Sequence, residues 1–250
     1  MRLTVIIPAY NEALALPSTI VSVNNFLSRW QADTWEVIIV NDCSTDDTKA
    51  VAENHKSQQV RILNLPKNLG KGAALVVGAR AAYDGYILLM DADSSTPISE
   101  LDKLWSKIKS ADVVFGSRSI AGSIITRHQP WYRELAGRVG NKIIQGLLLP
   151  GVIDSQCGFK LLAPNVLPLL QGIRTQRWGF DVELLTMAKA HGFSILEVPI
   201  TWQHDDSSAV GVGSYVRTLL EVVRIWWWVR IIGRTEDLGQ RIENSEHQNT

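Results

Sequence analysis

The sequence predicts an α/β protein with a mostly parallel, twisted sheet flanked by helices. Short runs of β-branched and aliphatic residues alternate with longer helical patterns through the first half of the chain. Such runs are typical of strands buried on both faces, and strand–helix alternation implies parallel strands joined by right-handed crossovers. The 250 residues, 46% hydrophobic and 20% charged, suffice for a globular protein with a sizeable core.

Five strands and four helices are expected in the first half. The strands are predicted at residues 3–8, 36–41, 60–65, 86–90 and 113–116. The helices are predicted at about 13–30, 45–56, 71–83 and 97–110. Ser44 and Asp47 resemble a capping box before the second helix, and Pro97 stands where a helix commonly begins.

The pattern changes after residue 117. A basic, aromatic loop at 127–133 leads into a helix that ends near Leu149. A strand at 156–162, a helix at 180–191 and a strand at 194–202 are expected to follow. We expect one domain over residues 1–233 and a flexible tail over 234–250, which is polar and without periodicity.

Composition and charge exclude several classes of protein. The net charge of zero gives no global basic field, so a nucleic-acid partner is not expected. Two cysteines, Cys43 and Cys157, cannot build a disulfide framework and suit a reducing compartment, although one bridge stays open. The first apolar run is too short for a signal peptide, and no uncharged apolar stretch reaches the length of a transmembrane helix.

Two carboxylates, Asp91 and Asp93, follow directly after the apolar run YILLM and flank Ala92. At the carboxyl end of a strand, such a pair can meet a hard divalent cation and the phosphates that the cation bridges. The acidic start of the helix near Pro97 is the alternative interpretation, because carboxylates suit a helix N-terminus. Both interpretations are open from these residues alone.

Polar residues also follow the first three strands. The first strand ends at Pro8 and is followed by Tyr10 and Glu12. Asp42 follows the second strand, and the loop NLGKG, which contains Lys71, follows the third. Because ligands of parallel sheets bind beyond the carboxyl ends of the strands, these residues should converge on the acidic pair. Tyr10 could stack on a base, and the carboxylates could bind a base or ribose. A helix cap and a strand-end turn are the alternatives.

Nine segments, in order and spacing, resemble the family-2 glycosyltransferases of the glycosyltransferase-A fold. The general likeness lies in VIIPAYNE, EVIIVNDCSTDDT, NLGKGAAL, LLMDADSSTP and VVFGSRS. Four later segments resemble the polyprenyl-phosphate branch of this family, especially the dolichyl-phosphate β-glucosyltransferases. These segments are RHQPWYREL, DSQCGFKLL, RWGFDVELL and EVPITW. The resemblance covers about residues 1–230 and implies a nucleotide-sugar-binding half at 1–117 and an acceptor half at 118–213.

The resemblance implies a role for each matching position. The donor would be bound by Pro8, Tyr10, Glu12, Asp42, Lys71, Asp91 and Ala92. Mg²⁺ or Mn²⁺ would be held against the diphosphate by Asp91 and Asp93. Donor or acceptor phosphate would meet the planar forks of Arg118 and Arg133, for which surface ion pairs are the alternative. The acceptor side would be lined by Asp154, Gln156, Lys160, Asp181 and Glu183, the last of which could instead lie on a core helix with a solvated acidic face.

The implied reaction is an inverting displacement at the anomeric carbon. A phosphate acceptor is largely ionised near neutral pH and scarcely needs a general base, whereas a sugar hydroxyl needs one, for which Asp181 is the candidate. Relatives often carry a Ser–Lys pair shortly after the EVP strand, but residues 204–210 contain no lysine. Binding of an acceptor phosphate would then pass to Arg133, Lys160 or Arg217.

Residues 214–233 are expected to form an amphipathic helix. Arg217, Glu221 and Arg224 fall at helical spacing, and the apolar surface includes Trp226–Trp228. Tryptophan favours the membrane interface and arginine meets anionic headgroups, so this helix would hold a peripheral protein on the cytoplasmic face of a membrane. A helix packed on the sheet or in a dimer contact is the alternative.

Two further functions stay open. One is a transferase that acts on a saccharide or another hydroxyl acceptor, and the other is a catalytically silent protein that binds a sugar nucleotide. Intact Asp42, Asp91, Asp93 and Arg118 argue against the silent protein. UDP-glucose is preferred as the donor by resemblance, with GDP-mannose possible. A dinucleotide-binding dehydrogenase is set aside because no GxGxxG follows the first strand.

Overall fold

The computed structural model describes residues 2–127, 129–204 and 217–229, apart from the side chain of Arg133. The strands are β1 (Arg2–Ala9), β2 (Thr34–Asn41), β3 (Val60–Asn64), β4 (Tyr86–Leu89), β5 (Val113–Ser117), β6 (Ile124–Arg127), β7 (Lys160–Leu162), β8 (Ile195–Pro199) and β9 (Thr201–Gln203). The helices are α1 (Leu16–Leu27), α2 (Thr48–Asn54), α3 (Lys71–Ala81), α4 (Leu101–Trp105), α5 (Trp131–Leu147), α6 (Leu167–Gly172), α7 (Phe180–Ala190) and α8 (217–229). Short 3₁₀ turns cover Ile98–Glu100 and Pro164–Val166.

Seven strands form the main sheet in the order β3-β2-β1-β4-β7-β5-β8. Parallel pairs join β1 to β2 and β4, β2 to β3, and β5 to β8. The exception is β7, which lies antiparallel between β4 and β5. A second, two-stranded sheet pairs β6 with β9. The mostly parallel sheet flanked by helices is therefore confirmed.

The central strands of the main sheet have continuous apolar runs, such as residues 5–7 of β1 and 37–40 of β2, because both faces of the sheet are covered. Along β1, Val5 and Ile7 pack in one buried cluster with residues of α1 and α4, whereas Ile6 packs in another with residues of α3 and α7. This alternation is the two-residue period of a strand. Gly78 lets α3 approach the sheet closely, since a Cβ there would lie 2.5 Å from Cγ2 of Ile6.

The predicted capping box at Ser44 and Asp47 is wrong. Asp47 precedes α2 without a capping hydrogen bond from its side chain. The Ser44 hydroxyl instead accepts the Asn11 N–H at 3.0 Å, and the Thr48 hydroxyl accepts the Glu12 N–H at 2.7 Å. These two hydroxyls therefore join the loops after β1 and β2, which brings the two strand ends together.

Other boundaries differ where the local pattern is ambiguous. The helix predicted at 97–110 divides into a 3₁₀ turn after Pro97 and the short α4. The strand predicted at 156–162 is reduced to β7, and the one at 194–202 divides into β8 and β9, which belong to different sheets. Strand β6 occupies residues that were expected to lie in or before a loop.

Helix α8 covers the described part of the predicted amphipathic helix. Val222 and Ile225 are buried against the body of the protein, while Leu220, Val223 and Trp227 are exposed. The helix therefore packs on the domain through one face and presents a second apolar face to solvent. Residues 214–216 and 230–233 and the predicted tail lie outside the described residues. None of the helices in the described ranges combines the length and apolar character of a membrane span.

Candidate active site

An open cavity of about 1650 Å³ lies at the carboxyl ends of the central parallel strands and extends between α5 and α8. The predicted site residues converge on it as the sheet topology requires. Its lining includes Pro8, Tyr10, Glu12, Asp42, Lys71, Asp91, Ala92, Asp93, Arg118, Gln156, Asp181 and Arg217. Three other predicted residues, Asp154, Lys160 and Glu183, are fully buried behind its wall.

The acidic pair after β4 faces this cavity beside one lysine. The Nζ atom of Lys71 lies 2.5 Å from Oδ1 of Asp91. Burial opposes ionisation of Asp91, but the charge and hydrogen bond of Lys71, with the charges of Lys160 and Arg118, outweigh burial and lower its pKa. Burial and the neighbouring Asp91 charge raise the pKa of Asp93.

This electrostatic imbalance suits a divalent cation. A positive charge next to Asp93 would stabilise its ionised carboxylate and so offset both the cost of burial and the repulsion by Asp91. Carboxylate oxygens are hard ligands of the kind that Mg²⁺ and Mn²⁺ take. The described residues contain no group of three or more His, Cys, Asp or Glu side chains arranged around one metal position. Asp91 and Asp93 are the two carboxylates of the described cavity lining that could hold such a cation.

Gly158 leaves the space that the Asp91 carboxylate occupies. A Cβ at this position would lie 2.0 Å from Oδ2 of Asp91. A side chain at Gly158 would therefore displace Asp91 from its place at the cavity wall. No local pattern indicates this contact, because 67 positions separate the two residues along the chain.

Arg118, at the end of β5, is held by a buried carboxylate. Its Nε and Nη2 atoms each donate to Asp154 at 2.7 Å, and its guanidinium lies 5.4 Å from the Trp202 ring centre. The backbone N–H groups of Ile153 and Asp154 donate to Glu197 at 2.8 and 2.7 Å. The prediction that Asp154 lines the acceptor side is therefore wrong. Asp154 fixes the arginine that does line the cavity.

Lys160 was also predicted to line the acceptor side and to bind substrate, but its side chain is not part of the cavity lining. It is fully buried, and its ammonium donates to the carbonyl oxygens of Ser155 and Cys157 and, at 2.6 Å, to Oδ1 of Asp181. These three acceptors match the three N–H donors of an ammonium. Lys160 therefore supports Asp181 from behind, and Asp181 itself reaches the cavity. Cys157 and Cys43 are both free thiols.

Glu183 has a structural role as well. It is fully buried, and its carboxylate accepts the N–H groups of Arg174 and Thr175 at 2.8 and 2.7 Å. The predicted acceptor-lining role and the alternative of a solvated acidic face are both wrong for this residue. Glu183 instead fixes the start of the loop before α7.

Asp42 organises the loop that carries Lys71. Its two carboxylate oxygens accept the N–H groups of Leu69 and Gly70, both at 2.7 Å. Gly70 has a φ of 99°, which disfavours any other residue. The loop is therefore held in place rather than flexible. Tyr10, which also lines the cavity, has an exposed fraction of 45%.

Several cavity residues were not singled out from the sequence. Arg177 and Trp178 come from the RWGF segment, and Trp202 and His204 come from the end of β9 and the residue after it. Trp178 was detectable as an aromatic residue within a quoted motif, but nothing local showed that it faces the site. The described residues exclude the Arg133 side chain, so its predicted phosphate-binding role stays a prediction.

The α/β fold and this cavity, with its strand-end carboxylates, lysine loop and fixed arginine, suit an enzyme that binds phosphate groups. Residues 4–167 match the sequence profile described as Glycosyl transferase family 2. The chain belongs to this family and is a glycosyltransferase.

Individual relatives agree with this assignment. A dolichyl-phosphate beta-glucosyltransferase of Trichomonas vaginalis is 33% identical over 235 residues, covering 89% of this chain and 70% of the relative. The Homo sapiens protein of the same description is 29% identical over 92% of this chain and 72% of its own length.

The solved structures confirm the glycosyltransferase-A fold. Glucosyl-3-phosphoglycerate synthase from Mycobacterium tuberculosis, in complex with phosphoglyceric acid, superposes with a TM-score of 0.70 at 19% identity, covering 89% of this chain and 79% of that chain. A complex of the same enzyme with Mn²⁺, UDP-glucose and phosphoglyceric acid gives a TM-score of 0.68 at 17% identity, over 90% of this chain and 79% of that chain. At this identity the likeness concerns the fold alone.

Proposed function

We propose that this glycosyltransferase moves a hexose, with inversion, from a nucleotide sugar to a polyprenyl phosphate. One observation carries the proposal: a single cavity joins the polar donor end around Asp91 and Asp93 to a largely apolar end between α5 and α8. A substrate with a charged head and a long hydrocarbon chain needs both ends. The relatives described as dolichyl-phosphate beta-glucosyltransferases support this choice of acceptor and favour glucose as the sugar.

The donor would lie at the polar end, with UDP-glucose as the preferred donor. Tyr10 offers a ring face to the base, and Lys71 lies where it can meet the diphosphate. Asp91 and Asp93 would hold Mg²⁺ or Mn²⁺, which stabilises the negative charge of the departing nucleotide when it is bound. Mn²⁺ and UDP-glucose occur together in the solved structure of the glucosyl-3-phosphoglycerate synthase, which supports both assignments.

The acceptor phosphate would meet arginines rather than Lys160. Arg118, Arg177 and Arg217 line the cavity, and the guanidinium of each can bind two phosphate oxygens. A phosphate oxygen is already anionic near neutral pH, so it can attack the anomeric carbon without a base. Asp181 would then position groups in the cavity, and it becomes the general base only if the acceptor is a hydroxyl.

An exposed apolar stripe on α5 supports a membrane location. Trp131, Leu135, Val139, Ile143 and Leu147 recur every four residues and are all exposed. Arg138 and Lys142 lie on the exposed surface of the same helix. Apolar side chains beside cations suit the interface of an anionic membrane. We propose that α5 and the exposed face of α8 hold the enzyme peripherally on the cytoplasmic leaflet.

This location predicts salt-sensitive binding to anionic vesicles. Trp131 and Trp227 have exposed fractions of 75% and 62%, so replacing both with Ser should weaken vesicle partitioning by about tenfold or more. Leu14→Ser is the matched control, because Leu14 is 92% exposed but lies outside both helices. Co-sedimentation with phosphatidylglycerol vesicles measures the effect. Wild-type protein that ignores these vesicles at low salt would contradict the membrane proposal.

The decisive experiment for the proposed function is a transfer assay. Purified protein is incubated with labelled UDP-glucose or GDP-mannose, with Mg²⁺ or Mn²⁺, and with undecaprenyl phosphate or a water-soluble sugar. We expect a glucosylated lipid phosphate from UDP-glucose. Transfer to the soluble sugar alone would favour the hydroxyl-acceptor transferase, and binding of donor without transfer to any acceptor would favour the silent protein.

A further inference from the structure

Residues 173–179, which we call the bridging loop, lie between the donor end of the cavity and α8. The start of this loop is fixed by Glu183, whose carboxylate accepts the Arg174 and Thr175 N–H groups. Its end contributes Arg177 and Trp178 to the cavity wall. The loop also contacts Lys71 through Trp178 and α8 through Gly179.

On the donor side, the bridging loop packs against the segment that carries Lys71. The Ala73 N–H donates to the Gln176 carbonyl at 3.0 Å. Gly72 is so close that a Cβ there would lie 2.6 Å from the Thr175 carbonyl oxygen. The Lys71 ammonium lies 5.6 Å from the Trp178 ring centre, within the range of a cation–π interaction. The bridging loop therefore forms one side of the place where Lys71 is held.

On the other side, α8 holds the end of the bridging loop. The Gly179 N–H donates to Oε2 of Glu221 at 2.7 Å. A Cβ at Gly179 would lie 2.9 Å from both Cβ and Oε2 of Glu221, so the Gly179 backbone packs directly against the Glu221 side chain. The Arg174 guanidinium lies 4.8 Å from the Trp228 ring centre. Glu183 and Glu221 thus fix the two ends of the same loop.

We propose that Glu221 is a positioning residue for the donor site, although it lies on α8 and is not among the residues that line the cavity. By holding Gly179 it fixes Trp178, and Trp178 fixes the ammonium of Lys71 next to Asp91. Affinity for the nucleoside diphosphate therefore depends on how α8 packs on the domain. This inference rests on the proposed function, since it assigns the nucleotide to the end of the cavity that contains Lys71.

The test is the calorimetric affinity of the full chain for UDP in the presence of MnCl₂. Glu221→Ala removes the acceptor of the Gly179 N–H and should weaken UDP binding about tenfold, the cost of about one charged hydrogen bond. Glu221→Gln keeps an oxygen that can accept this bond and should bind UDP within about threefold of the wild type. Rescue by Gln separates positioning through the hydrogen bond from a general effect of charge.

Two further variants complete the design. Asp102→Ala is the matched control, because Asp102 accepts a hydrogen bond of the same 2.7 Å length, from Trp30, outside the cavity. Its UDP affinity should equal that of the wild type. Gly179→Ala tests the contact from the loop side, since its Cβ would push Glu221 away, and it should weaken UDP binding like Glu221→Ala.

The outcomes separate the inference from the proposed function. Wild-type affinity in both Glu221→Ala and Gly179→Ala would overturn the positioning role while leaving the nucleotide site intact. An equal loss in Glu221→Gln and Glu221→Ala would also overturn it. A wild-type protein that binds no nucleoside diphosphate with Mn²⁺ would instead refute the proposed function. Circular dichroism of each variant confirms that the fold is retained.

Discussion

Asp93→Asn is expected to keep the fold and to lose about 10²–10³-fold in the rate of hexose transfer. The change removes one of the two carboxylate charges that would hold the divalent cation, while the side-chain shape is preserved. The amide can still accept the Ser95 N–H, which lies 2.9 Å from Oδ1 in the wild type. Initial transfer rates at saturating Mn²⁺, with circular dichroism as the check of folding, measure the effect.

Asp102→Asn serves as the control for this change, since it removes an exposed carboxylate from α4, outside the cavity. Its transfer rate should match that of the wild type. The interpretation of Asp93 as a metal ligand fails if Asp93→Asn retains full activity in excess EDTA. In that case the acidic pair would act only as the start of the following helical turn.

Lys160→Met is expected to have the largest effect on stability, a loss of about 3–5 kcal/mol in the free energy of unfolding. The substitution keeps the length of the side chain but leaves Asp181 and two carbonyl oxygens buried without their donor. An unpaired buried charge costs far more than the ion pair contributes when it is intact. Urea unfolding, followed by tryptophan fluorescence, measures the difference.

Lys56→Met is the matched control for this stability effect. Lys56 is also in an ion pair, with Glu53 at 3.8 Å, but its side chain is 62% exposed. Surface pairs of this kind contribute at most about 1 kcal/mol, so the control should unfold close to the wild type. Equal urea midpoints for the two variants would show that the buried network around Asp181 is not important for stability.

The sheet and the residues that line the cavity around Asp91 could be predicted from the sequence for a simple physical reason. Parallel strands buried on both faces are recognisable as apolar runs, and their carboxyl ends must share one edge. Residues placed directly after those runs, such as Tyr10, Asp42 and Asp91, therefore reach the cavity wherever the intervening helices lie. Local pattern and topology were sufficient for this part of the site.

The supporting residues could not be predicted in the same way. Lys160, Asp154 and Glu183 are polar residues in motifs, and such residues are usually ligands or surface groups. Lys160 lies on β7, which is inserted antiparallel between β4 and β5, a pairing that no local period encodes. The carboxylates of Asp154 and Glu183 are held by partners at least eight positions away along the chain, Arg118 for the first and Arg174 and Thr175 for the second.

The tryptophan cluster of α8 illustrates a further limit. Consecutive helical residues are separated by about 100°, so three in a row cannot share one face. Trp227 is exposed, whereas Trp228 meets Arg174 and Trp226 is partly buried. The cluster was therefore interpreted too simply as one membrane-facing surface. One face of the helix packs on the domain, and the sequence did not show which face.

The apolar stripe of α5 also has a practical consequence for handling the protein. A net charge of zero gives copies of the chain little mutual repulsion near neutral pH. The stripe, from Trp131 to Leu147, exposes apolar surface on each copy, and contact between two such stripes would remove that surface from water. In detergent-free buffer, copies should associate reversibly through this stripe, and they should dissociate when a mild detergent covers it. Oligomer sizes measured without detergent would then depend on the buffer as well as on any biological assembly.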